Sequence, residues 1–227
     1  MPSVLLHCCC APCSSAILEW MVAEGMRPGI FFSNSNIVPF EEYEKRREEL
    51  VRYAASYGLE VFDDEYDHSA WLSFVKEQCG GDQAAMPERG PRCLACFKFR
   101  LLRAARFAAA HGYDTLTTTL ASSRWKDLAQ VDEAGRWAVS TINLPGEGIP
   151  PGEHATLGTV RGGTVSSANG GAERSEASPG GIPSPAQLLW WGKNWRKGGL
   201  QERRNALIKS CNMYNQTWCG CEFSHRR

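Results

Sequence analysis

The sequence predicts an α/β domain built on a parallel sheet covered by helices. Two observations carry that reading. Short apolar runs alternate with stretches of helical apolar spacing, the pattern of successive strand–helix–strand units. The loops after those runs hold cysteines and small polar residues, which is where open parallel sheets place their sites. At 227 residues, 43% of them hydrophobic, the chain is long enough to bury one core, so a single domain over 1–227 is expected.

Val4-Leu5-Leu6 reads as the first strand and Ser15 to Glu24 as a helix with Ile17, Leu18, Met21 and Val22 on its apolar side. Gly29 to Phe32 is a second strand, ended by Ser33-Asn34-Ser35-Asn36. Glu41 to Tyr57 is a helix with acids in its first turn, stopped at Gly58, and Leu59 to Phe62 returns as a third strand. A helix over His68 to Gln78, a Gly/Pro-rich loop to Pro91 and an Ala/Arg-rich helix from Cys93 to His111 follow. Asp114 to Leu120 is a Thr-rich fourth strand, Leu188 to Trp191 a buried strand, and Gly199 to Lys209 an amphipathic helix. Between the last two strands, Thr141 to Ala186 holds ten glycines and six prolines without periodicity. It is expected to be a low-complexity insertion in one loop, with no chemistry of its own.

The chain is formally neutral, with 25 basic and 25 acidic residues. The charge is nevertheless segregated. Glu41 to Asp67 carries ten acids against four bases, and Arg92 to Arg106 carries five bases and no acid. A basic face beside cysteine clusters suits a polyanionic substrate, although Arg100, Arg103 and Arg106, taken alone, read more readily as the solvated side of a helix. No stretch approaches the roughly 18 apolar residues of a membrane span. The N-terminus shows neither a basic leader nor a long apolar run, so a cytoplasmic, non-membrane protein is expected.

Nine of the ten cysteines fall in three groups: Cys8-Cys9-Cys10 with Cys13, Cys93 with Cys96, and Cys219-Gly220-Cys221 with Cys211. In a reducing compartment such groups are ligands or redox catalysts rather than structural disulfides. Cys93 and Cys96, one turn apart at a helix start beside Arg92, have both the spacing and the positive setting that favour thiolates. With Cys9 and Cys10 they supply the four thiolates that an iron–sulfur cubane needs. Zinc accepts the same donors; the adjacent Cys-Cys pair, awkward in the tight turns of structural zinc sites, favours iron–sulfur. A Cys-x-Cys disulfide closes a strained ring, so Cys219 and Cys221 read as a labile redox dithiol, or else as a second metal-binding pair. Cys13 is left as a second-site ligand or an acid; Cys8, Cys79 and Cys211 read as buried and inert.

These residues also carry a resemblance. Leu5-Leu6-His7 with Cys9-Cys10-Ala11-Pro12-Cys13-Ser14 resembles the opening of epoxyqueuosine reductases of the QueH type. So do Phe32 to Ile37 with Pro39 and Glu42-Tyr43-x-x-Arg46, Arg92-Cys93-x-x-Cys96-Phe97-x-x-Arg100-Leu101, Thr117 to Leu120 with Ser122-Ser123, and Tyr214-Asn215-Gln216-x-Trp218-Cys219-Gly220-Cys221. The resemblance spans residues 3–140 and 187–224. It departs at the 141–186 insertion, at Ser210-Cys211-Asn212, and at Trp191-Gly192-Lys193, where that family usually has an aspartate.

The resemblance implies a HUP/PP-loop-like, Rossmann-type fold. It also implies reduction of the epoxide of epoxyqueuosine to an alkene at the tRNA wobble position, the last step of queuosine biosynthesis. The implied machinery is a [4Fe-4S] cluster on Cys9, Cys10, Cys93 and Cys96 and a redox-active Cys219–Cys221 pair. Because a fully cysteine-ligated cluster has no open iron, a Lewis acid or proton donor is also needed: an additional iron held partly by Cys13, or His7 as an acid. Asn34, Asn36, Thr119, Ser122 and Ser123 are candidates to hold the cyclopentane diol and base. Tyr43 and Arg46, of the matched motif, and Tyr214 are further substrate-binding candidates, and Tyr43, Tyr214 or Trp218 are candidates to stack on an extruded nucleotide. The partners expected are tRNA carrying epoxyqueuosine and an electron donor of unknown identity. Competing readings are a zinc-stabilised nucleotide- or tRNA-binding module and a protein thiol–disulfide oxidoreductase.

Overall fold

A computed structural model describes residues 2–144 and 187–224. Five parallel strands, β1 (Val4–Cys8), β2 (Gly29–Phe32), β3 (Val61–Asp63), β4 (Thr115–Thr118) and β5 (Leu189–Trp190), form one sheet in the order β3-β2-β1-β4-β5. The helices are α1 (Ala11–Ala23), α2 (Phe40–Ala55), α3 (His68–Cys79), α4 (Pro91–Ala110), α5 (Leu128–Asn143) and α6 (Leu200–Ser210), and a 3-10 turn, Thr119–Ser122, follows β4. This is the expected Rossmann-like α/β architecture in one domain.

Strand order fixes the layers. Successive strands move outward from β1 to β3, then return past β1 to β4 and β5. Right-handed crossovers therefore send α1 and α2 to one face and α4 and α5 to the other. The packing agrees: α1 lies against α2 and α6, and α4 lies against α3 and α5. Central β1 is buried along its whole length, with Leu5 and Leu6 among the largest fully buried side chains. The order reverses between β1 and β4, and the crevice at their carboxyl ends is where such folds place their sites.

The helix starts are sequence-encoded. Asp67 accepts the Ala70 N–H at 2.8 Å to cap α3, and Asp127 accepts those of Ala129 and Gln130 at 2.8 and 3.2 Å to cap α5. Proline sits in the first turn of α1 and of α4, where its missing N–H costs nothing.

Three expectations are corrected. Helix α5 was not foreseen, and its last residues, Thr141 to Asn143, belong to the stretch read as low-complexity; residues 145–186 of that stretch lie outside the described residues. β5 is a two-residue edge strand, so its alternation exposes Leu189 while Leu188 is buried. Cys8 is buried as expected, but Cys211 is exposed and Cys79 half-buried.

Candidate metal and dithiol site

The loop after β1 turns directly into α1, and this places three thiols at the crevice. Cys9, Cys10 and Cys13 are all buried, with their sulfurs within 4.8 Å of one another. Among the described residues this is the one group of three or more His, Cys, Asp or Glu side chains so gathered. The Cys9 N–H donates to Thr119 Oγ1 at 3.1 Å, and that hydroxyl donates to Cys9 Sγ at 3.4 Å, so the turn after β4 clamps the loop after β1. Hydrogen bonds from the Cys10 and Cys13 thiols, aided by the charges of Lys126 and Arg100, pull the Cys9 thiol well below its usual range; Cys10, as donor, is pushed up. Arg204 of α6 reaches across to Cys13 Sγ at 4.0 Å while donating to the Pro12 carbonyl at 2.9 Å.

His7, fully buried in β1, has its one ring N–H tied to a backbone carbonyl. Its Nε2 faces the Ser33 carbonyl at 3.1 Å and its Nδ1 the Thr118 hydroxyl at 2.7 Å. A carbonyl only accepts, so Nε2 carries the hydrogen and Nδ1 accepts. Burial first, then the charge of Arg100, lowers its pKa to about 3. Its expected role as an acid is thereby corrected: His7 is a neutral strut joining β1, β2 and β4.

The second wall is the start of α4. Cys93 accepts the Arg89 N–H at 3.3 Å, and Cys96 is buried beside Trp71, Phe99 and Cys221. The helix start and Arg92 were expected to favour thiolates here. Burial outweighs them, raising Cys96 and pushing Cys93 up to about 11. The Arg92 guanidinium is itself turned away, onto the Gln83 and Met86 carbonyls.

Cys219 and Cys221 meet this wall from the C-terminal segment, with sulfurs 3.4 Å apart. Gly220, at φ +102, occupies backbone space that a side chain resists. Cys219 is exposed as a residue, yet its thiol turns inward, 3.3 Å from Ser224 Oγ. The hydrogen bond shared with Cys221, with Lys126 and Ser224, holds Cys219 below the usual thiol range, and the same contact with burial drives Cys221 up. The two sulfurs of the pair are thus set apart in acidity, Cys219 lowered and Cys221 raised.

Lys126 lies between the thiol loop and the tail in charge. Partly buried in the loop before α5, its ammonium is held charged by Cys9, Cys13 and Cys219, against the cost of burial. Every cysteine of the chain is a free thiol. Clustered soft donors beside fixed positive charge are a chemical match for an anionic iron–sulfur group, and Cys9, Cys10, Cys93 and Cys96 fit it by donor type. Cys93 and Cys96 lie outside the tight trio, and Cys13 takes the third place in it.

The remaining candidates divide. Thr119 is at the thiols, and Ser122 and Ser123 are buried in the same turn. Asn34 is already engaged: its amide donates to the Cys8 carbonyl at 3.0 Å and its oxygen accepts from Arg100. Asn36 is buried with its side-chain oxygen unpartnered, which leaves it an acceptor to offer. Tyr43 is not a stacking surface, because its buried ring is enclosed by Phe32, Phe40 and Tyr66. Arg46 and Tyr214 serve the tail instead. Arg46, buried against Glu42, donates to the Cys219 carbonyl at 3.0 Å, and Tyr214 donates to Glu42 while Lys45 sits 3.5 Å above its ring.

Sequence reasoning missed Lys126 and Arg204, and it read Arg100 as solvated although it is buried between Ser33 and Asn34. Only the run of bases without acids on α4 hinted at such a role.

A family model described as "Epoxyqueuosine reductase QueH" matches residues 4–145 and 181–227. A relative named Epoxyqueuosine reductase QueH from Haemophilus influenzae is 32% identical over 98% of this chain and 71% of its own length. Like-named proteins of Acinetobacter baylyi and Thermotoga maritima are 31% and 29% identical, over 98% and 99% of this chain and 80% and 91% of theirs. With the matched segments carrying the thiol loop, the α4 pair and the tail dithiol, the chain belongs to the epoxyqueuosine reductase QueH family.

Proposed function

We propose that this protein reduces the epoxide of epoxyqueuosine at the wobble position of tRNA, giving the alkene of queuosine and water. The observation that carries the reading is the buried Cys9/Cys10/Cys13 trio, with the Cys219/Cys221 tail pair packed against the Cys96 end of α4. Cys9, Cys10, Cys93 and Cys96 are the residues that would hold a [4Fe-4S] cluster. When bound, such a group supplies electrons one at a time.

The chain's own residues do the rest. Removing the epoxide oxygen takes two electrons and two protons, and closing the Cys219–Cys221 disulfide releases two of each. Epoxide plus dithiol therefore balances alkene plus disulfide plus water. Cys219 is the sulfur poised to act first, with Cys221 behind it to complete the bond. An external reductant must then reopen the disulfide. Thr119 and Lys126 hold charge and hydrogen bonds at the thiols, Asn36 offers its open acceptor to the diol, and His7 keeps the strands in place. Cys13 is the residue for an additional iron. Among the described residues no helix is long and apolar enough to cross a membrane, and the reading places the chain in the reducing cytoplasm, where ten thiols persist.

The test is anaerobic purification followed by incubation with epoxyqueuosine-tRNA and a strong reductant. A brown protein with acid-labile sulfide and a queuosine product is expected. The tight Cys9/Cys10/Cys13 trio favours a second reading, a single soft ion such as zinc in a binding module. A colourless protein with stoichiometric zinc and unchanged nucleoside would replace the first reading with that one.

A further inference from the structure

We infer that Trp125, backed by Arg124, is a mounted stacking platform for an unpaired base of the RNA loop that brings its nucleotide to the thiols; this rests on the tRNA reading above. Trp125 is 64% exposed, more than any other large apolar residue described. A single exposed indole needs no explanation by itself. What sets this one apart is its mounting.

The loop from Ser123 to Lys126 is held by two arginines from elsewhere in the chain. Arg89 donates through Nε to the Trp125 carbonyl at 3.0 Å and through Nη2 to the Arg124 carbonyl at 3.3 Å. Arg196 donates to the carbonyls of Ser123 and Lys126. The Trp125 N–H is taken by Ser123 Oγ at 3.4 Å. An exposed aromatic side chain is thus carried on a backbone that is tied at each carbonyl.

The mounting is also tied to the site. Arg89 gives its N–H to Cys93, so the residue that fixes Trp125 touches a thiol of the second wall. Thr119, which bonds the Cys9 N–H and sulfur, opens the buried turn that runs directly into this loop, and Lys126, next in sequence, is half-buried. Trp125 therefore stands at the edge of the thiol site. The Arg124 guanidinium lies 4.7 Å from the indole centroid, placing a cation against the ring. Arg89 is exposed beside it, and Asp127, the nearest acid in sequence, is occupied in capping α5. An open indole among exposed guanidiniums meets the two needs of single-stranded RNA, a surface for a base and charge for its phosphates.

The experiment measures the affinity of the full-length chain for a dye-labelled, unmodified anticodon stem–loop RNA, alongside KM for epoxyqueuosine-tRNA. Trp125→Ala is expected to weaken both by about five- to 150-fold, the range of one lost base–aromatic stack, and Trp125→Phe to restore most of that. Arg124→Ala should flatten the salt dependence of binding by about one phosphate contact. A wild-type chain that turns over epoxyqueuosine-tRNA while Trp125→Ala binds RNA equally well overturns the platform and leaves the activity standing. RNA binding lost in Trp125→Ala, with no epoxide reduction by the wild type, supports the platform and removes the activity. A chain that pairs with a second copy through Trp125, monomeric only as Trp125→Ala, overturns the assignment.

Discussion

The two ends of the sulfur site are built differently. The thiol loop of Cys9, Cys10 and Cys13 grows out of the sheet's central strand, whose backbone is paired on both sides, His7 with Phe31 of β2 and with Thr118 of β4. The Cys219-Gly220-Cys221 segment has no strand partner. It is fastened by side chains of one helix and the backbone just before it: Glu49 takes the Tyr214 N–H at 2.6 Å, Glu42 takes its hydroxyl, Arg46 holds the Cys219 carbonyl, and Val38 donates to the Gly220 carbonyl at 2.9 Å. The difference suits the two tasks proposed above. Donors to an inorganic group must converge on fixed points, whereas a dithiol that opens and closes its bond needs slack in the segment that carries it.

Cutting each end separately breaks the comparison most directly. Cys9→Ser removes a donor from the rigid wall. It is expected to lower iron content and activity together, by more than the roughly 10–100-fold that follows loss of a residue merely supporting a ligand. Cys221→Ser leaves the sheet untouched. Iron content should stay at the wild-type level while steady-state turnover falls to background, with Cys219 still open to alkylation. Metal analysis and nucleoside chromatography on both variants check the pair. Iron lost equally from Cys221→Ser would mean that the tail is itself a ligand wall, and the division of labour would fail.

Arg46→Ala probes the fastening alone. The guanidinium is buried against Glu42 at 2.6 Å, and its loss strands that carboxylate and frees the Cys219 carbonyl. Breaking one side of a buried pair costs about 3–5 kcal/mol. Here much of that is expected to appear locally. Hydrogen exchange should quicken at residues 214–221 while the β1 amides keep their protection. Uniform loss of protection would show that the tail folds as part of the sheet core.

How much of this was legible follows the same division. The strands of the sheet are short apolar runs, and the thiol loops announce themselves by composition, so the rigid wall could be read from residues 3–13 and 92–97. Arg100 could not be read, because its partners Ser33 and Asn34 lie more than sixty positions earlier and nothing local distinguishes it from solvated Arg106. Lys126 was hidden for the same reason, since the sulfurs it faces come from both ends of the chain. Arg46 and Tyr214 read as substrate contacts, and their contacts to the tail and to Glu42 were not legible, because an anchored tail and a substrate contact need the same chemistry. Helix α5 had a readable period in Leu128, Val131, Ala134, Ala138 and Val139. Gly135 interrupts it, though, and signals a close approach only once its neighbour Trp190 is known, whose ring would lie 2.2 Å from a Cβ there.

Gly192 sharpens the comparison with the smallest effect. It stands where the resembling sequences usually carry aspartate, and the structure gives a local reason for its lack of a side chain. A Cβ at this position would lie 2.2 Å from Asp132 Oδ1 and 3.0 Å from Trp190 Nε1, the two atoms of a 2.7 Å hydrogen bond that ties β5 to α5. Gly192→Ala is therefore expected to cost about 1–3 kcal/mol, the range for forcing extra atoms into filled space. Gly192→Asp should cost more, because it sets a second carboxylate beside Asp132. Since the Thr117 hydroxyl donates to the neighbouring Trp191 carbonyl at 2.8 Å, the strain enters through β4 and belongs to the sheet. It should lower the global melting point without quickening exchange at residues 214–221. Asp132→Ala removes the obstructing oxygen, so the double variant Asp132→Ala/Gly192→Ala should be more stable than the two single costs predict, a coupling that a double-mutant cycle reads directly. Strictly additive costs would mean that the glycine is not held by Asp132.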